Sequence, residues 1–261
     1  MQIQIETIQP EVAKCMLHFN KANRSLSEHT VAKYARAMER GEWLLNGEAI
    51  IFDDAGNLAN GQHRLNACIR TGIPLNTVVV RGVHPDSFKT FDGGKTRSPA
   101  DILSVAGEKN TVALASAARA YLMMEMIGRK KFEITSTQID KIVKTNRSLS
   151  RIVGTYVGHK PRVLPAGFCG VVAQVERLHG EPIASSFLIK TISGVGLSKD
   201  DPEYILRDKF LNTKYGCAIN SEMGRAFMIK AANAKIQGKK MSLLRMTDDE
   251  SFPVLIGIKP T

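Results

Sequence analysis

Polar and apolar residues alternate from Gln2 to Ile8, the period of a half-buried strand, and Pro10 then interrupts the run. Ser27 can cap a helix whose Val31, Tyr34, Ala35 and Met38 recur at helical spacing, with Gly41 as its stop. Ala49–Asp53 reads as a second strand, Asp54-Ala55-Gly56-Asn57 as a turn and Leu58-Ala59-Asn60 as the returning strand, a hairpin that delivers the chain to Gly61. A short helix from Arg64 to Arg70, closed by Gly72, comes next. Leu75–Val83 is a further strand, whose Val78-Val79-Val80 run predicts burial on both faces.

Beyond Phe88 the spacing becomes helical. Ser98-Pro99 opens one helix that ends at Gly107, and Asn110 opens an Ala-rich one running to Gly128. Thr137–Asn146, Leu164–His179, Pro182–Ile192, Pro202–Asn212 and Ser221–Gln237 carry the same period, separated by Gly or Pro. The predicted class is α+β: a small mixed-sheet domain over residues 1–92 and an all-helical domain over residues 93–261, the change lying between Asp86 and Pro99.

Composition adds a direction. With 36 Lys and Arg against 25 Asp and Glu, the net charge is +11, which favours polyanionic partners. The cations Arg129, Lys130, Lys131, Lys141, Lys144, Arg147, Arg151, Lys160 and Arg162 fall together with few acids between them, marking the first half of the helical domain as a candidate nucleic-acid surface. Aromatics are only 6% of the chain, which argues against a single-strand platform built on stacking, and Trp43 reads as a core anchor. Cys15, Cys68, Cys169 and Cys217 form no C-x-x-C pair, so they read as buried thiols of a reducing cytoplasm. The start, MQIQIETIQPE, has neither a basic nor an apolar leader segment, and no later run has membrane-spanning length, so a cytoplasmic protein is expected.

The candidate chemistry centres on Gly61-Gln62-His63-Arg64. A strand that ends at a glycine and turns into a helix presents backbone N–H groups and a favourable dipole to an anion, and His63 and Arg64 add cationic side chains. A second cluster, Asp92-Gly93-Gly94-Lys95-Thr96-Arg97-Ser98, also leads into a helix, so Lys95 and Arg97 could close over the same phosphates. The spacing is neither that of a Walker loop nor a dinucleotide fingerprint. Glu48 could hold Mg²⁺ or act as a base, or be a solvated turn acid; Asp92 could orient Lys95 and Arg97, assist a metal, or belong to a plain loop, whereas Asp53 and Asp54 are better explained by the turn. His18, His29, His84, His159 and His179 show no pairing of the zinc-protease type.

The order strand, helix, Asn46-Gly47-Glu48, strand, Gly61-Gln62-His63-Arg64-Leu65-Asn66-Ala67, valine-rich strand resembles the ParB/sulfiredoxin-like superfamily, in particular its phage and mobile-element branch with a DGQHR-type box. The resemblance covers roughly the first hundred residues. It implies a nucleotide pocket around Gly61, Gln62, His63 and Arg64, with a nucleoside triphosphate such as CTP or ATP, with or without Mg²⁺, as ligand and DNA as partner. Asn60 stands where that box has Asp, and Gln62 stands where a sulfiredoxin has its reactive cysteine, so sulfinyl transfer is disfavoured. The second arginine of partition-type ParB proteins is missing, and no helix-turn-helix is evident.

Three functions follow as expectations. The first is a nucleotide-binding, DNA-associated protein. The second is a Mg²⁺-dependent phosphotransferase, nucleotide hydrolase, nuclease or DNA-modification component with Glu48 or Asp92 at its centre. The third is a non-catalytic phage accessory or anti-defence protein that keeps the box mainly as fold. A dimer is compatible with each.

Overall fold

The structure, a computed structural model, describes residues 1–21, 23, 25–90, 97–126, 134–212, 221–247 and 249–259. It is α+β: a four-stranded mixed sheet near the N-terminus, then helices, eleven α-helices in all among the described residues. The chain divides into two compact units, Met1–Lys95 and Thr96–Thr261.

In the first unit β1 (Gln2–Ile8) is followed by α1 (Pro10–Leu17), α2 (Glu28–Glu39), β2 (Ile50–Asp53), β3 (Leu58–Asn60), α3 (Gln62–Thr71) and β4 (Leu75–Val83). The strand order is β1-β4-β2-β3, with β4 antiparallel to β1 and parallel to β2, and β2 antiparallel to β3. Period-two alternation places Ile8, Leu75, Val79 and Ile50 on one face of the sheet. That face forms a core with Ala13 and Met16 of α1, Val31, Ala35 and Met38 of α2, and Leu65, Ala67 and Cys68 of α3. The three helices therefore supply the core of a single sheet face. The predicted burial of Val78-Val79-Val80 on both faces is corrected accordingly: Val79 is buried, whereas Val78 and Val80 on the opposite face are half-buried.

Two further expectations change. Pro10 does not merely end β1; it opens α1, where its missing N–H costs nothing at a helix start. The third helix begins at Gln62, not Arg64. The hairpin turn stands as read: the Asp53 carboxylate accepts from the backbone N–H of Asn57 at 2.7 Å and from its side-chain amide at 3.0 Å, which holds the Asp53 pKa below its ordinary value. Trp43 packs edge-to-face on Tyr34 with centroids 5.6 Å apart, against the core of this unit.

The second unit contains α4 (Pro99–Val105), α5 (Thr111–Glu125), α6 (Ser136–Thr145), α7 (Ser148–Gly158), α8 (Gly167–His179), α9 (Glu181–Ser193), α10 (Pro202–Leu211) and α11 (Ser221–Ile236). Ser98 and Asp101 form a reciprocal capping box at α4, and Thr135 and Gln138 form one at α6. The sequence periodicity passed over α7, whose Leu149, Ile152, Val153 and Tyr156 nevertheless form a buried stripe. Helix α8 lies against α5 at Gly170, where an added Cβ would sit 2.2 Å from the Ala117 carbonyl oxygen.

The residues after α11 strap this unit. The Asn233 side chain donates to the Val254 carbonyl at 2.8 Å and accepts from the Ile256 N–H at 2.9 Å, satisfying two backbone groups at the turn that follows. Lys230 donates to Glu250 at 2.7 Å, and the Arg225 guanidinium lies 5.2 Å from the centroid of the Phe252 ring. Leu244 and Leu255 are buried in the helical core.

The thiols divide. Cys68 and Cys169 are buried, but Cys15 is exposed, which corrects the expectation for it; Cys217 lies outside the described residues. No helix among the described residues is long and apolar enough to cross a membrane.

Candidate functional site

The site is built at the junction of β3 and α3. Gly61 adopts φ 109° and ψ 2°, a conformation that side chains resist, and it does so under Ile50. A Cβ at position 61 would lie 2.3 Å from Ile50 Cδ1 and 3.2 Å from Ile50 Cα. Glycine is thus demanded twice by the fold, once for backbone conformation and once for the approach of β2.

The three residues after it are all polar and all buried: Gln62 is 5% exposed, His63 7% and Arg64 5%. Groups so placed must be hydrogen-bonded, and partners come from the segment that joins α1 to α2. Gln62 Oε1 accepts from Asn20 Nδ2 at 3.0 Å, and Asn23 Nδ2 donates both to Asn20 Oδ1 at 2.7 Å and to the Leu58 carbonyl at 2.6 Å. His63 Nε2 accepts from the backbone N–H of Ser27 at 3.0 Å. A backbone amide can only donate, so Nε2 is the unprotonated nitrogen of that ring. The Ser27 hydroxyl in turn accepts from the Thr30 N–H, capping α2.

Arg64 is placed differently. Its Nη2 donates to Asn60 Oδ1 at 3.4 Å, and its Nη1 lies 3.9 Å from Glu48 Oε2, a carboxylate on a side chain that is 69% exposed. The guanidinium is withdrawn from water while its acid partner stays in it. Asn60, which stands where the resembling box has Asp, serves as a neutral acceptor for this arginine. Glu48 follows Asn46, whose side chain accepts from the Glu48 N–H at 3.0 Å, while the Glu48 carbonyl accepts from Thr77 Oγ1 at 3.2 Å. These bonds fix the backbone beneath the carboxylate.

Among the described residues, no group of three His, Cys, Asp or Glu side chains is arranged to hold a metal ion. Of the second predicted phosphate cluster, Asp92 and Lys95 lie outside the described residues, and Arg97 is exposed just ahead of the α4 cap Ser98.

The predicted nucleic-acid surface is partly described. Arg129, Lys130 and Lys131 lie outside the described residues; Lys141, Lys160 and Arg162 are exposed. Lys144 pairs with Asp140 at 2.6 Å and Arg147 with Glu108 at 2.8 Å. Arg151 pairs with Glu176 and, at 3.6 Å, with Glu181. Lys144 thus meets an acid one turn back on its own helix, while Arg147 and Arg151 meet acids from other segments. In each of these four pairs the cation is exposed, so solvent and salt screen the attraction and solvent ions can compete for it.

Sequence reasoning missed Asn20, Asn23 and Ser27 as partners of the box. The polar stretch from Asn20 to Ser27 was the available signal. No family model matches this sequence, and no curated protein or solved structure matches it either.

Proposed function

We propose that the N-terminal unit is a nucleotide-phosphate-binding module of the ParB/sulfiredoxin-like kind, with Arg64 as its anion partner, in a protein that works beside DNA. The observation that supports this is the Arg64–Glu48 relationship: a buried guanidinium on the first turn of a ten-residue helix, 3.9 Å from a solvated carboxylate. At that distance the carboxylate makes no direct hydrogen bond, and its exposure weakens the attraction. A phosphate group brings more charge and more acceptor oxygens to the same place and would displace it, at the end of the helix where the dipole favours anions.

Glu48 then has two alternative roles with opposite signatures. As a counter-ion it competes with phosphate; as a ligand to Mg²⁺ carried by the nucleotide it assists. The experiment is thermal shift and calorimetric titration of CTP, ATP and their diphosphates, with and without Mg²⁺, on wild-type, Glu48→Gln and Arg64→Gln proteins. Competition predicts tighter binding by Glu48→Gln, assistance predicts loss of the Mg²⁺-dependent part, and both predict loss in Arg64→Gln. Because Glu48 is exposed, its variant should fold, so a wild type and a Glu48→Gln that both ignore every nucleotide would end the reading. Product analysis in the same samples distinguishes a hydrolase or phosphotransferase from a binding module.

The DNA half of the proposal rests on the net charge of +11. Its mark would be affinity falling steeply with salt, since each phosphate contact releases counterions. A second reading, in which the box is kept for the fold of a non-catalytic accessory protein, draws on the engagement of Gly61, Gln62 and His63 by Ile50, Asn20 and Ser27. Protein that ignores nucleotides and DNA would support it.

A further inference from the structure

The two edges of the N-terminal sheet are finished differently. The β3 edge is three residues long, pairs irregularly with β2, and is occupied by the chain itself: the Leu58 N–H donates to the Phe19 carbonyl at 2.9 Å and the Leu58 carbonyl accepts from Asn23. The β1 edge is seven residues long and pairs with β4 in unbroken register from Gln2↔Arg81 to Ile8↔Leu75. It carries no Pro and no Lys, and the residues from Gln2 to Ile5 are exposed. Natural sheets generally blunt such an edge, because its outward N–H and C=O groups template another strand.

The opposite face of the sheet points the same way. Ile3 and Ile5 are 61% and 65% exposed, and their cross-strand partners Val80 and Val78 are half-buried. With Ile51, the partner of Val80, they make an apolar stripe that stops abruptly at the β1 edge.

We infer that β1 pairs antiparallel with β1 of a second copy of this chain, about a two-fold axis at Gln4, joining two four-stranded sheets into one. The sequence argues for a second copy over an unrelated strand. Gln2-Ile3-Gln4-Ile5-Glu6 reads nearly the same in both directions, the property a two-fold strand pair requires. Centred on Gln4, Ile3 meets Ile5 of the second copy, and the apolar stripe continues across the junction in both directions. Gln2 meets Glu6, a carboxylate already paired with Arg81 of its own strand neighbour, so like charges do not confront one another. A seven-residue edge lies at the small end of specific interfaces, so association should be weak and concentration-dependent.

The test is sedimentation velocity of the full chain over the micromolar to millimolar range, where weak complexes populate. The wild type should shift toward twice the monomer mass as concentration rises. Ile3→Lys/Ile5→Lys, which opposes cations across the axis, should stay monomeric, whereas Ile3→Lys/Ile5→Glu, which opposes Lys to Glu, should regain the shift. Both substituted side chains are exposed, and unchanged melting of each variant checks the fold. In a Cys15→Ser background, Gln4→Cys should cross-link to itself under mild oxidation, because residue 4 alone faces its own copy; Thr7→Cys should not. A wild type that stays monomeric, a dimer indifferent to the double lysine variant, or cross-linking at position 7 in place of position 4 would each overturn the inference.

Discussion

The backbone N–H of Ser27 donates to Nε2 of His63 at 3.0 Å, tying the residue that caps α2 to the first turn of α3. A histidine that the sequence offered as a phosphate ligand thus accepts a hydrogen bond that positions a neighbouring helix. This bond and the Gln62–Asn20 bond tie the segment between α1 and α2 to the box.

His63→Ala should destabilise the N-terminal unit by about 0.5–1.5 kcal/mol through loss of this part-buried hydrogen bond, besides the packing of the buried ring itself. Chemical denaturation would read it. His63→Gln, which can still present an acceptor, should recover part of the loss. A fully stable His63→Ala would mean that Ser27 finds another acceptor and that the bond does not position α2.

Gly61→Ala combines a left-handed backbone with a contact 2.3 Å from Ile50 Cδ1, so about 2–4 kcal/mol should be lost. Ile50→Val in the same chain removes the colliding methyl and should return a fraction, leaving the backbone part. The coupling between the two positions in a double-mutant cycle is the measurement. Additive effects would show that Ile50 does not enforce the glycine.

Asn233→Ala should release the strap after α11, at a cost of about 1–3 kcal/mol for the two unmatched backbone groups. Hydrogen exchange at Ile256 should accelerate while the α5 amides stay protected. The same strap should loosen in acid. The hydrogen bond from Lys230 holds the Glu250 carboxyl below its ordinary 4.5, so its contribution is present above that pH and is lost as pH falls through the lower folded value. Glu250→Gln should flatten that dependence.

Thiol labelling should separate the cysteines. In a Cys217→Ser background, Cys15 should react in the native protein, while Cys68 and Cys169 react only on unfolding. Burial pushes the Cys169 thiol up to about 12, removing the thiolate on which reactivity depends. Rapid native labelling of Cys169 would contradict the packing of α8.

Much of the fold could be read from the chain because short-range patterns govern it. Alternation placed β1, the valine run placed β4, the Asp53–Asn57 turn placed the hairpin, and Ser98 with Pro99 placed the start of α4, each a pattern among residues close in sequence. The segment α7 escaped because Gly154 and several β-branched residues interrupt helix propensity, and tertiary packing of Ile152 and Val153 overrides it. Pro10 both ends the alternation of β1 and opens α1, and local pattern alone shows only the first of these.

The sequence by itself determined the class, a small sheet unit followed by helices, and it determined that Gly61 would open a helix. Only the tertiary structure decided what the box touches. Ile50 lies 11 positions before Gly61 in the chain, Asn20 is 42 positions from Gln62 and Ser27 is 36 from His63, distances over which no local periodicity carries information. The same holds for charge: Arg147, just ahead of α7, meets Glu108 in the loop after α4, and Arg151 of α7 meets Glu176 of α8, only because packing brings these segments together. Burial and pairing belong to the neighbours that folding supplies, and those neighbours are not adjacent in sequence.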